Sequence, residues 1–296
     1  MGYLKNVLAD YRYIYYYSQK ALRWTFLRKF LWKFISFIKP SFSKSQEQPS
    51  GSVVEEMAAA GFSYLPSLSK KEISEIEYYL ETKKVYSHQR AEPFYFPGGL
   101  VEGDNNAHYF ANDLIECRHL LKLANHPIVL SSLQKMFGCK PTITVIEAWW
   151  NIAGKSQPLI QNYLYHRDVE DFKFAKLFLY LTDVDIESGP HVFIRGSQNS
   201  NHLVRRGSIS ESEISKYFKK EDCYIHTGKK GTIFLEDTWG IHRGIPPTHN
   251  HRLIFSVTYT LTKQNPNLPK KPYKDLKLSS DILLDKYVNR AYLKLN

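Results

Sequence analysis

The chain has 296 residues, 43% of them apolar and 15% aromatic, enough to bury a sizeable core as one large domain or two small ones. Its formal charge of +11 is concentrated at the ends: nine Lys/Arg face two acids in residues 1–50, eight face three in 263–296, and 23 face 24 between. A near-neutral centre argues against a nucleic-acid enzyme, whose basic footprint would surround its active region, and no run of 18 apolar residues offers a membrane-spanning helix.

Residues 11–40, YRYIYYYSQKALRWTFLRKFLWKFISFIKP, contain seven basic residues and no acid. At 100° per residue, Trp24, Leu27, Phe30, Leu31, Phe34, Ile35, Phe37 and Ile38 gather on one broad face, with Arg28, Lys29, Lys33 and Lys39 opposite. The spacing predicts an amphipathic helix ending near Pro40, within a basic aromatic segment spanning 1–40. Three readings stand. The helix makes peripheral contact with an anionic membrane through residues 11–39, it packs on the domain with its lysines in water, or it meets a partner protein. The mixed aromatic and basic residues do not form a compact secretory leader.

Residues 41–53, rich in Ser, Pro and Gly, read as a flexible linker. VVEEMAAAGFSYLP then predicts a short helix, a glycine stop and a short strand. SLSKKEISEIEYYLETKK predicts a second helix with a serine cap and an acidic first turn. The aromatic, turn-rich YFPGGLVEGDNNAHYFANDL reads as a long loop near a mouth, and 114–137 is helical again. From Thr142 onward, TITVIEAWWNI, KFAKLFLYLTDV, HVFIRGS, KGTIFLED and RLIFSVTYTL read as strands, with a small helix near Lys216–Glu221. Helices followed by strands without crossover helices predict an antiparallel sandwich or barrel. Cys117, Cys139 and Cys223 match no zinc or redox spacing. They read as free thiols in a reducing compartment, hence a cytoplasmic chain, with the inner membrane surface as the peripheral alternative.

The tripeptide His166-Arg167-Asp168 invites a kinase reading, which fails. Residue 173 is Lys where that chemistry needs Asn, no DFG follows, and no glycine-rich phosphate loop precedes it. In an extended segment, however, residues two apart share a side, so His166 and Asp168 can converge on one metal. With one more histidine they would leave three positions open on Fe(II). His191, His202, His226, His242, His249 and His251 are candidates, and a histidine among aromatics is often only structural. Arg252 opens a strand on which Arg252, Ile254, Ser256 and Thr258 share one face. An arginine directed inward there needs an anion; an internal ion pair or solvent exposure is the alternative.

In order, YHRD, LTDVDIESGPHVFIRGSQ and WGIHRG, followed by HR at the start of the last strand, make the sequence resemble the phytanoyl-CoA dioxygenase-like branch of the Fe(II)/2-oxoglutarate oxygenases. The likeness covers roughly 54–262 as a dioxygenase domain, leaving 1–40 and a basic C-terminal extension, 263–296, outside it. It implies a double-stranded β-helix (a jelly-roll, cupin-like fold) with flanking helices. Its cofactor and cosubstrates would be Fe(II), 2-oxoglutarate and O2. His166, Asp168 and His242 match the metal ligands, and Arg252 matches the arginine that pairs with the far carboxylate of 2-oxoglutarate. Tyr163, Gln161, Thr182 and Ser256 are weaker candidates for cosubstrate contact. The retained Asp168 implies a hydroxylase, since related halogenases lose that carboxylate. Where the family often reads Pro-Gly-Ser-His, this chain reads Arg195-Gly196-Ser197-Gln198. The substrate would be a small, acyl, lipid-linked or glycan-related molecule, with Tyr109, Trp149, Arg195 and Trp239 as candidate contacts and Trp150 and His108 beside them. The competing readings are a 2-oxoglutarate-independent oxygenase on the same scaffold, and a catalytically inactive membrane-associated binding module.

Overall fold

The computed structural model describes residues 2–22, 24–43, 51–100, 103–154, 163–205, 207–264, 268, 272–273 and 281–295. Part of the linker, Gln161 and much of the C-terminal extension lie outside them. Two antiparallel sheets face each other as a double-stranded β-helix. The larger sheet runs β1 (Phe62–Leu65), β8 (Ile233–Glu236), β5 (Phe174–Tyr180), β10 (Arg252–Thr260), β4 (Thr142–Asn151), β3 (Asn106–Tyr109) and β2 (Val85–Tyr86). The smaller runs β7 (Cys223–His226), β6 (His191–Ile194) and β9 (His242–Gly244).

Period-two alternation in β10 sorts the interior into two compartments. Leu253, Phe255, Val257 and Tyr259 enter a core shared with α7 (Arg118–Ala124) and α8 (Pro127–Phe137), where Tyr259 Oη donates to Ala124 O at 2.8 Å. Ile254 instead joins Phe178, Tyr180, Val184 and Phe234 between the sheets. The large sheet is therefore helix-covered on one side and faces the small sheet on the other. That second side carries Arg252, Ser256 and Thr258, each buried.

The flanking helices follow their local signals. Ser69 caps α5 (Lys70–Glu81) in a reciprocal capping box with Glu72, as the serine and acidic first turn predict. α4 (Gly51–Ala59) precedes β1, and Gly61 between them has φ +93°. The stretch 114–137 is three helices, α6 (Ala111–Glu116), α7 and α8, with Pro127 opening α8 and left-handed Gly138 closing it. Part of the expected mouth loop is β3, paired to β4. Near the expected helix at Lys216–Glu221, the helical residues are α9 (Glu211–Ile214) and a 3-10 turn at Lys220–Asp222.

The N-terminal segment is three helices, α1 (Gly2–Ala9), α2 (Arg12–Ala21) and α3 (Thr25–Phe37), rather than one. α3 packs with Arg28 inward and Phe26, Phe30, Phe34 and Phe37 outward. The Arg28 guanidinium donates to Gln19 O at 2.8 Å and Asp171 O at 2.5 Å, and lies 4.0 Å above the Trp239 ring. Those carbonyls and that ring replace water around the charge, which is how the helix buries Arg28 while Lys29 and Lys33 stay exposed. No helix among the described residues is long and apolar enough to cross a membrane.

Gly61 tests the junction between α4 and the sheet. A Cβ there would meet the Phe193 ring and Gln198 Oε1 at 2.6 Å, on a backbone that L side chains avoid. Gly61→Ala is expected to destabilise the domain by about 2–4 kcal/mol in urea unfolding. An unchanged midpoint would contradict this packing.

Candidate metal centre

The small sheet builds the site through one backbone pairing. His166 and His242 face each other across an antiparallel bridge, exchanging N–H···O bonds of 3.0 Å each way. This sets their rings side by side, 4.3 Å between centroids. Two residues on, Asp168 N donates to Thr238 O at 3.0 Å, so the carboxylate returns to the same side. Asp168 Oδ1 lies 3.6 Å from His166 Nε2, and Oδ2 lies 3.6 Å from His242 Nε2. Among the described residues this is the group whose donor atoms are close enough to hold one metal ion.

The tautomers suit that use. His166 Nδ1 donates to Leu164 O at 2.8 Å and His242 Nδ1 to Gly240 O at 3.0 Å. Each Nε2 is then left as a lone-pair donor facing the carboxylate. Burial pushes His242 well below the ordinary imidazole pKa, and the nearby His166 adds to the shift, so it stays neutral. Burial also resists charge on Asp168, but Lys176, His242 and His166 outweigh it and hold the carboxyl well below its usual range. Burial lowers His166, but the hydrogen bond and charge of Asp168 outweigh it and raise its pKa, a pull towards positive charge at Nε2 that a bound cation would satisfy instead. Two imidazole nitrogens and an ionised carboxylate form a donor set that fits a divalent transition metal.

Arg167, between the two candidate ligands, turns away. Its guanidinium donates to Ser197 O, Trp239 O and His202 O, pinning the surrounding loops. The middle letter of the kinase-like triplet is thus a structural clamp.

Behind the triad, β10 delivers Arg252 to the same cavity, a space of about 170 Å³. Arg252 is buried, and its guanidinium reaches only neutral acceptors, Asn151 Oδ1 and Gly189 O. No carboxylate pairs with it among the described residues' ion pairs. Tyr163 also lines the cavity, and its buried hydroxyl, near Asn151, has no hydrogen-bond partner of good geometry among the described residues. A desolvated cation without a counter-ion, beside an unsatisfied hydroxyl, is a place for an anion.

Trp149 and His108 line the cavity, continuing a row of stacked rings from Tyr86 across β2, β3 and β4. Ser256 is buried on the inner face, its hydroxyl unpaired, but outside the cavity wall. Thr182 accepts from Leu253 N at 3.1 Å and anchors the start of β10. Tyr109 sits in the main core, accepting from Trp150 Nε1, and Trp150 stacks on Phe96. Arg195 is exposed and donates to Glu221 O. Trp239 lies under Arg28, lining a separate cleft beside α3.

Several cavity residues were not anticipated. Lys176 Nζ lies 2.8 Å from Asp168 Oδ2 and 3.9 Å from Glu170. Burial opposes its charge, yet Asp168, Glu170 and Glu147 raise its pKa above that of a free lysine. Glu147, Asn151, Asn106, Phe178 and His191 complete the wall. Alternation held the signal: Lys176, Phe178 and Tyr180 share one face of β5, as Glu147, Trp149 and Asn151 share one face of β4. Behind His191, Glu236 is fully buried between His191 Nε2 at 2.9 Å and His226 Nε2 at 3.4 Å.

No family model matches the chain, and no curated protein matches it. Among solved structures, EctD from S. alaskensis with 2-oxoglutarate and 5-hydroxyectoine superposes with a TM-score of 0.54 at 14% identity, over 86% of this chain and 88% of that one. EctD with bound Fe gives 0.54 at 13%, over 86% and 90%. HygX from Streptomyces hygroscopicus with nickel, 2-oxoglutarate and hygromycin B gives 0.48 at 13%, over 81% and 96%.

Glu236 gives the centre a pH signature. Burial, only partly offset by His226, pushes its carboxyl up to about 7, well above the ordinary glutamate range. A raised acid favours the folded state below the unfolded pKa and loses that contribution as pH rises through the folded one. Wild-type stability should therefore carry a decline of up to ~3 kcal/mol between about pH 4.5 and 7, absent in Glu236→Gln. Urea unfolding across that range checks it; parallel profiles would contradict it. The EctD likeness is one of fold: the chain has the double-stranded β-helix that those structures share.

Proposed function

We propose that the chain is an Fe(II)/2-oxoglutarate-dependent oxygenase, a hydroxylase of aliphatic C–H bonds in a small-molecule, acyl, lipid-linked or glycan-related substrate, releasing succinate and carbon dioxide. The observation that carries this reading is the pairing, in one cavity, of a His-Asp-His donor set with a buried arginine that has no carboxylate partner. EctD has been solved on this fold with Fe and with 2-oxoglutarate, which makes that donor set's reading as an iron site a natural one.

In this proposal His166, Asp168 and His242 hold the metal, which supplies the activation of dioxygen. Their backbone bonds to Leu164 and Gly240 fix which imidazole nitrogen faces it. Lys176 holds Asp168 Oδ2, limiting how that carboxylate can rotate. Arg252 takes the far carboxylate of 2-oxoglutarate through its fork of donors, with Tyr163 beside it. Trp149 and His108 offer a flat wall, and Glu147 and Asn106 polar contacts, to the substrate. Contact with an anionic membrane belongs to the N-terminal helices.

A 2-oxoglutarate-independent oxygenase would make no use of Arg252. Metal and 2-oxoglutarate titrations on the purified chain separate the two readings. Asp168→Ala should abolish tight divalent-metal binding. Arg252→Met should leave it intact while weakening 2-oxoglutarate by about 2–4 kcal/mol, roughly thirty- to a thousand-fold. Unchanged 2-oxoglutarate affinity in a folded Arg252→Met protein would refute the cosubstrate assignment.

A further inference from the structure

Seventeen large apolar side chains are exposed among the described residues, and nine of them lie between Leu8 and Ile38. Such concentration in one arm is not the scatter expected of an ordinary surface. α3 with its two capping residues, Trp24 and Ile38, provides six of the nine. At 100° per residue, Thr25, Arg28, Trp32 and Ile35 point one way, into the domain. Phe26, Phe30, Phe34 and Phe37 point the other way, and Phe26 and Phe37 are 77% and 89% exposed.

The orientation is anchored rather than loosely placed. Besides the Arg28 contacts, Trp32 Nε1 donates to Phe137 O at 2.7 Å. From α2, Tyr15 Oη donates to Asp171 Oδ1 at 2.6 Å and Gln19 Nε2 to Val169 O at 3.1 Å. To bury its phenylalanines instead, α3 would have to roll over and release the Arg28 and Trp32 bonds. Among the described residues nothing covers the aromatic face.

Charge says what that occupant is. Lys29 and Lys33 are exposed along one edge of the arc that Phe26, Phe37 and Phe30 form, beside the cleft between α3 and the domain, so a basic border flanks the aromatic face. From Tyr11 through Gln46 there is no acidic residue. A second copy of the arm would oppose like charge to like. An anionic bilayer answers both features: phenylalanines enter the acyl boundary, while lysine stems lie along it and their ammonium groups reach lipid phosphates. The 13-residue helix, about 20 Å long, is too short to span and long enough to lie flat.

We infer that the outward face of α3 docks the protein on an anionic lipid surface, while its inward face grips the segment that follows Asp168. This deepens the proposed membrane contact and rests on it. The grip matters because Val169 and Asp171, which α2 and α3 hold, lie one and three residues beyond the candidate ligand Asp168. The docking helix and the metal-binding segment are joined by direct bonds, which favours an amphiphilic or lipid-linked substrate met at the membrane surface.

The test is co-sedimentation of the full-length protein with vesicles of phosphatidylcholine alone and with added phosphatidylglycerol. Wild type should bind the anionic vesicles and not the neutral ones. Phe30→Ser/Phe34→Ser/Phe37→Ser should lower partitioning at least about tenfold, and Lys29→Glu/Lys33→Glu should do the same. Because these side chains face outward, circular dichroism and divalent-metal titration should match wild type; that arm separates failure of docking from failure of the metal site. Equal binding to neutral vesicles, no binding to anionic ones, or binding indifferent to both variants would overturn the inference. So would a concentration-dependent dimer that the triple serine variant dissociates.

Discussion

The site depends on the antiparallel bridge between His166 and His242. Two backbone hydrogen bonds bring together residues 76 positions apart and set their imidazoles side by side. Asp168 completes the group only because the segment stays extended, returning the carboxylate to the side His166 occupies. The anchor at Thr238 O keeps it so. The triad is thus positioned by main-chain pairing, which small side-chain motions do not disturb.

Concentrating charge there requires compensation, and the fold provides it in layers. Lys176 faces Asp168 from the large sheet, with Glu170 and Glu147 beyond it. Asp171, buried near the other end of the segment, accepts from Tyr15, Phe172 and Thr262, so three parts of the chain converge on one carboxylate. Arg252 is the exception, buried among neutral acceptors. A buried cation without its counter-ion is costly in a finished core and reasonable in a binding site. This asymmetry between a compensated triad and an uncompensated arginine gives the cavity its direction, a metal-type donor set at one side and an arginine without a counter-ion at the other.

Much of this was legible in the sequence, and the limits have physical causes. His166, Asp168 and Arg252 could be singled out because two-residue alternation is a strong constraint; the choice of His242 came from resemblance, since spacing left six histidines open. β7 and β9, at four and three residues, are too short to show periodicity, and β3 hid in a turn-rich stretch. Lys176 was passed over because a lone lysine in an apolar run reads as an interruption, when it was the polar member of the inner face. In α3 periodicity identified an apolar arc but could not say which side the domain takes. Only the Asp171 and Gln19 carbonyls and the Trp239 ring make burying Arg28 favourable, and these come from elsewhere in the chain.

The central claim is that the triad and Arg252 together hold iron and 2-oxoglutarate. The most direct measurement is the visible spectrum of the anaerobic protein as Fe(II) and then 2-oxoglutarate are added, since bidentate chelation of the metal by the keto acid produces a charge-transfer band before any substrate is known. The band should appear with 2-oxoglutarate, saturate at one equivalent per chain and be absent in Asp168→Ala. A folded, iron-loaded wild-type protein that develops no such band would contradict it.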